Sequence, residues 1–222
     1  MNKAAGMRHS RHDQHASVAA LLPDFAHMQR HWEPTYKTYA VKLLPGEYYA
    51  TARDEMLMTV LGSCISACIR DTVYGIGGMN HFMLPVGSRD TVERWHTGGV
   101  SAAARYGNYA MELLINAILK HGGRRPHLEV KIFGGGRILG HMTDIGRHNI
   151  TFVHAYIRTE ALQLVAEDVS DVYPRKILYF PASGRVRVKK LRALRTDAIA
   201  RRETAYLRTL ESRPIGGDIE LF

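Results

Sequence analysis

The chain is 222 residues long and carries a formal net charge of +9; 45% of its residues are hydrophobic and 23% are charged. That is enough chain for one full core with decorated ends, and the composition lies outside the disordered and fibrous classes. No apolar run approaches the roughly 18 residues that span a bilayer, so membrane insertion is not expected.

Near Arg8 and Arg11 the longest apolar run is Val18-Ala19-Ala20-Leu21-Leu22, shorter than a secretory h-region, so no signal peptide is expected. Cys64 and Cys68 are the two cysteines, four residues apart, which suits a reducing cytoplasm better than a disulfide framework. With one nearby histidine they lack the second ligand pair of a zinc site, and no metal is expected. The charge is placed unevenly. Residues 175–213 hold twelve Lys/Arg against three acids, equal to the whole excess. Such a basic end can meet nucleic acid, an anionic surface or an acidic protein, or can be a solvated hairpin and helix face. The last is the preferred reading, and nucleic acid is not an expected partner.

Residues 1–35 read as a flexible extension: His9, His12, His15, His27 and His31 follow no sustained period, and Glu33-Pro34 closes the stretch. A domain over residues 36–192 follows, then a basic tail, 193–222. The domain opens with a strand at Tyr39–Leu43 and a Pro45-Gly46 turn. Met56–Leu61 is apolar at consecutive positions, as a buried strand is, and Gly62 breaks it. Ile65–Ile69 and Gly75–Leu84 are the next strands, with a turn at Asp71-Thr72; residues 86–101 form a polar loop.

Ala102–His121 is the clearest helix, stopped by Gly122-Gly123. His127–Phe133 alternates as a strand and runs into Gly134-Gly135-Gly136. The triple glycine lacks the Lys and Ser/Thr of a phosphate loop, so it reads as a tight turn where backbone approaches another element closely. Asn149 is placed as the N-cap of a helix reaching Thr159. Leu162–Val165 is a short strand, Lys176–Phe180 and Arg185–Leu191 form a hairpin, and Ala193–Leu210 is a basic amphipathic helix. Many strands joined by short turns argue for mixed sheets with helices outside, an α+β fold.

Cys64 stands beside Gly62 and Ser63 at the end of an apolar strand, and His81 at the end of a second. A thiol has a pKa of about 8.5, so an imidazole within reach is needed to take its proton. The imidazole in turn needs a third group on its other nitrogen, and Thr59, through its hydroxyl or its carbonyl, can accept that N–H. Small neighbours let a carbonyl approach, and the Cys64 N–H can serve an oxyanion hole. Cys68 reads as core. The spacing of Cys64 and His81 permits contact without requiring it.

The ordered motifs resemble a known family. Leu61-Gly62-Ser63-Cys64, Ile69-Arg70-Asp71 and Gly78–Pro85 (Gly-Met-Asn-His-Phe-Met-Leu-Pro) are similar to the chemoreceptor glutamine deamidases, the CheD family. So are Arg105-Tyr106-Gly107, Lys131–Gly135, Ile145-Gly146 with Asn149, Ala166-Glu167-Asp168, Arg175-Lys176 and Gly184–Lys189.

The resemblance covers about residues 40–192 and implies a cysteine hydrolase that turns receptor glutamines into glutamates, in an α/β sandwich akin to toxin deamidase domains. It implies Cys64 as nucleophile, His81 as base and Thr59 as third member, with Met58 in the adjacent place but lacking a hydroxyl. It implies no cofactor, cytoplasmic location, and chemoreceptors (methyl-accepting chemotaxis proteins) as partners, with a CheC-type phosphatase as a further one. A non-catalytic regulator that binds receptor or phosphatase is the alternative. The chain departs from the family at Arg137, at Arg147-His148, and at Ser170-Asp171 where a Gly-Gly pair is usual.

Overall fold

The structure is a computed structural model and describes residues 22–85, 102–138, 145–192 and 196–212. In chain order the strands are β1 (Arg30–Glu33), β2 (Thr38–Lys42), β3 (Tyr48–Thr51), β4 (Glu55–Leu61), β5 (Ile65–Asp71) and β6 (Gly77–Asn80). After α1 (Ala102–Lys120) come β7 (Leu128–Gly134), α2 (Ile145–Thr159), β8 (Gln163–Val169), β9 (Arg175–Phe180), β10 (Arg185–Lys190) and α3 (Thr196–Ser212).

Among the described residues the strands form two mixed five-stranded sheets, ordered β1-β2-β4-β9-β10 and β3-β6-β5-β7-β8. Neighbours are antiparallel except β2 with β4 and β7 with β8. The fold is α+β. One core joins the sheets: Val41, Leu57, Leu61 and Ile177 from the first pack in the same cluster as Ile65, Ile69, Val130 and Ile132 from the second. The near-continuous apolar runs of β4 and β5 fit this, since both strands are buried almost throughout. Helix α1 packs on β3, β5 and β6, and α2 on β5 and β8. Among the described residues no helix is long and apolar enough to cross a membrane.

The segment expected as an extension contributes to this fold from Leu22 onward. Phe25 is buried against Tyr48 and Tyr49, and β1 pairs antiparallel with β2. Two strands were not expected. β1 is polar and half exposed at a sheet edge, and β3 is four residues long behind the Pro45-Gly46 turn. The strand expected over Gly75–Leu84 is regular only at Gly77–Asn80, with one bridge beyond it from Phe82 to Ile65. The polar loop at 86–101, the histidines at 9, 12 and 15, and the start of the expected tail helix at 193–195 lie outside the described residues.

Helix α2 begins at Ile145, so Asn149 is not its N-cap. Its side chain is taken by long-range partners instead, described below. Ser170 and Asp171 have φ of 68° and 79°, the left-handed region where glycine is at ease. The departure from a glycine pair is therefore a matter of turn shape.

Much of the basic excess is engaged within the fold. Arg175 on β9 is fully buried, donating to the Asp168 carboxylate and carbonyl and to the Ser170 carbonyl, and so it joins the two sheets. Arg185 lies over Phe180, Arg187 over Tyr36 and Arg192 over Tyr173, while Lys190 pairs with Asp171.

Candidate active site

Gly62-Ser63-Cys64 is the three-residue passage by which the chain leaves β4 in one sheet and enters β5 in the other. A crossing that short needs a tightly held backbone, and the triple glycine supplies the holding groups. Gly135 N–H donates to the Cys64 carbonyl at 2.8 Å, and Gly136 N–H donates to the Gly62 carbonyl at 2.7 Å. Gly134 has φ of 112°, and a Cβ there would overlap the Cys64 carbonyl oxygen. The close backbone approach expected of this run is thus an approach to the cysteine loop.

His81 reaches the same place by register. β5 and β6 pair antiparallel with Cys68 opposite Met79, and the ladder continues in the reciprocal Ile65–Phe82 bonds, 2.9 Å each way. Extending that register makes Cys64 and His81 diagonal neighbours on one face of the sheet. The Cys64 Sγ, a ring nitrogen of His81 and a carboxylate oxygen of Glu203 lie within 4.8 Å of one another.

Thr59, on β4, meets the other side of the ring. Its Oγ1 is 2.7 Å from His81 Nδ1 and donates its own hydrogen to the Leu43 carbonyl at 2.9 Å. A hydroxyl has a single hydrogen, so Nδ1 must be the donor to Thr59. The network therefore assigns the proton to Nδ1 and leaves the Nε2 lone pair free. Nε2 is buried and has no hydrogen-bond partner among the described residues. Of the two acceptors that Thr59 offered in sequence, the hydroxyl is the one used. All three expected site residues are brought together, while Cys68 sits in the core.

Sequence reasoning missed Glu203. This α3 residue is fully buried, and its carboxylate is held by the cysteine loop. Oε1 accepts the Gly62 N–H at 2.8 Å and, more weakly, the Cys64 N–H at 3.4 Å. Oε2 accepts the Ser63 N–H at 2.9 Å and the Ser63 hydroxyl at 2.6 Å. The signal was present in the tail: Ile199, Glu203 and Leu207 share one helix stripe, and all three are buried. An acid between two apolar residues on the buried face of a basic helix calls for a donor cluster beneath it.

The electrostatics match this closed arrangement. Burial pushes the Cys64 thiol well up, and the Glu203 carboxylate adds to that. Burial also drives the His81 imidazole down to about 3, with the Arg202 guanidinium contributing. Both shifts favour the neutral form, thiol and imidazole rather than thiolate and imidazolium. Cys64, His81 and Glu203 are also the donor types that hold a zinc ion. Here both Glu203 oxygens already carry N–H or O–H donors, so the carboxylate is engaged as a hydrogen-bond acceptor.

A buried thiol, an imidazole oriented by a hydroxyl, and a loop of N–H groups turned on one carboxylate are the kinds of group that acyl transfer at a cysteine uses, here set on an α+β scaffold. Residues 83–190 match the family described as CheD chemotactic sensory transduction, a stretch that begins just after His81. Proteins called probable chemoreceptor glutamine deamidase CheD resemble the chain over most of its length. The one from Halorhodospira halophila is 52% identical over 206 residues, 93% of this chain and 95% of its own. Those from Hydrogenovibrio crunogenus and Janthinobacterium sp. (strain Marseille) are 52% and 50% identical, covering 88% and 86% of this chain and 100% and 93% of their own. The chain belongs to the CheD family of chemoreceptor glutamine deamidases.

Proposed function

We propose that the protein is a protein-glutamine amidohydrolase that converts glutamine side chains of chemoreceptors to glutamate, with Cys64 as nucleophile, His81 as base and Thr59 as the group that orients the base. The observation that carries the reading is the Thr59–His81 hydrogen bond, which occupies Nδ1 and leaves Nε2 without a partner among the described residues, on a ring that has a nitrogen within 4.8 Å of the Cys64 Sγ. Once the site opens to a substrate, Nε2 takes the thiol proton and the thiolate attacks the carboxamide carbon. The N–H groups of Gly62, Ser63 and Cys64 receive the oxyanion. The imidazolium then gives its proton to the leaving nitrogen, and ammonia departs from a thioester. Water, deprotonated by the same nitrogen, hydrolyses the thioester to the glutamate side chain and restores the thiol.

Every step is carried by groups of the chain itself and one water. We place the protein in the cytoplasm, where its receptor partners expose their signalling helices, and infer a CheC-type phosphatase as a second partner from the family resemblance. Exposed basic side chains of β10 suit acidic receptor helices. Incubation with a receptor cytoplasmic fragment, followed by peptide mapping, tests the reading: glutamine-to-glutamate conversion is expected with the wild type and is absent with Cys64→Ala. Conversion that persists in Cys64→Ala, or never appears with the wild type, overturns it.

A further inference from the structure

We propose that α3 is a built-in product analogue: Glu203 occupies the place of the glutamate that the reaction leaves behind, and the helix closes the site against substrate. The inference rests on the amidohydrolase reading and goes beyond it, because it identifies what fills the site and the shape of what must replace it.

Three observations carry it. First, the Glu203 carboxylate is bound by the backbone N–H groups of Gly62, Ser63 and Cys64, the donors assigned above to the oxyanion, and also by the Ser63 hydroxyl. One of its oxygens lies within 4.8 Å of the Cys64 Sγ and of a His81 ring nitrogen, where a product carboxylate would lie. Second, the rest of α3 is fitted to the rim. Arg202 donates to the Val60 carbonyl at 2.9 Å, the Tyr206 hydroxyl meets that of Tyr106, and Leu207 is buried in the main core. Third, the seated carboxylate raises the Cys64 thiol and so opposes formation of the thiolate. Inhibition by a product analogue predicts that sign.

The substrate class follows from the geometry. The group in the site is presented from the middle of an α-helix, with Ile199 one turn before it and Leu207 one turn after, both buried. The groove therefore accepts a glutamine carried on an amphipathic helix with apolar residues at i−4 and i+4. Such a helix competes with α3 for one groove, and displacement of α3 is the step that admits it.

Replacing Glu203 by glutamine turns the analogue into a substrate. In the full-length E203Q protein the Cys64 thiolate would attack the carboxamide introduced at position 203, and ammonia would leave with the proton from His81. Water would then release a glutamate side chain at that position and regenerate the thiol. Peptide mass spectrometry is expected to show position 203 changing from glutamine to glutamate, at a rate independent of protein concentration. The doubly substituted C64A/E203Q protein should keep its glutamine.

A receptor fragment added in parallel separates the two readings. If the fragment is deamidated while the glutamine of E203Q persists, the product-analogue inference is overturned. If neither is deamidated, the amidohydrolase reading falls and takes this one with it. A second variant has a readout other than deamidation. E203R sets a cation against the N–H groups, and the unseated helix should raise the rate of Cys64 alkylation by at least about tenfold, given the charge-assisted bonds lost. It should also raise turnover of the receptor fragment. Lower turnover with intact folding would show Glu203 to be part of the catalytic machinery and would overturn the proposal.

Discussion

Asn149 donates from its side-chain amide to the Ser63 carbonyl at 2.8 Å, and its Oδ1 accepts the Leu84 N–H at 2.9 Å. One buried amide on α2 thus ties the cysteine loop to the segment that carries His81. Both partners are backbone groups out of water, so removing the side chain strands a donor and an acceptor. Asn149→Ala is expected to cost about 2–4 kcal/mol of stability and to lower kcat for the receptor fragment more than it raises KM. Urea denaturation and steady-state rates on the folded fraction check this; an unchanged kcat would remove Asn149 from the positioning of the site.

Thr59 makes its contribution through a hydroxyl that accepts from His81 and donates to Leu43. Thr59→Ser keeps that hydroxyl and should retain most activity. Thr59→Val keeps the shape and removes both bonds, freeing the ring to take the other tautomer. A drop in kcat of roughly 10²-fold is expected, in the range of general-base effects. Comparable rates for the serine and valine variants would show that the hydroxyl orients nothing.

Ser170 holds a φ of 68° while its N–H donates to the Gly134 carbonyl at 2.9 Å. A side chain in this conformation costs about 1 kcal/mol that glycine does not incur. Ser170→Gly should therefore move the urea midpoint upward. Asp171→Gly should bring no such gain, because the Asp171 carboxylate also binds Lys190 and the Val172 N–H. A fall in the Ser170→Gly midpoint would contradict the assignment of strain to this turn.

Asp71 gives a pH dependence with a definite sign. Burial alone would raise its carboxyl, but N–H donation from Tyr74, Arg124 and Val73 outweighs burial and holds it below the ordinary value. A carboxyl depressed in the folded state contributes fully above the unfolded value of about 3.9 and loses that contribution as pH falls through the lower folded value. Asp71→Asn should thus be destabilised near neutrality and approach the wild type at acid pH. Denaturation midpoints of both proteins across the acid range test this, and a stability gap that widened on acidification would be incompatible with it.

The two sheets were legible in outline because β4, β5 and β7 carry strong period or run signals that their burial repeats. β1 and β3 were not, since a four-residue edge strand of mixed polarity has no pattern to show. Thr59, Cys64 and His81 were legible as residue types, and their meeting was not, because it depends on the β5–β6 register and on a strand change at Gly62. Asn149 illustrates the same limit: a good capping residue by local chemistry, it is claimed by two backbone groups far away in sequence. Glu203 shows the opposite failure. Its charge was counted in the net sum of the tail, whereas its position on the helix stripe held the information.

Thr59 belongs to one sheet, His81 directly follows the end of β6 in the other, and Cys64 lies on the three-residue passage between the sheets. The alignment of the three groups is therefore a gauge of how the sheets are seated on each other, with Arg175 acting as a brace at a second point. Slippage of a few tenths of an ångström in the shared core would lengthen a 2.7 Å contact before any strand came apart. Activity in this architecture fails earlier than structure, and losses of turnover caused by distant core substitutions should precede the first sign of melting.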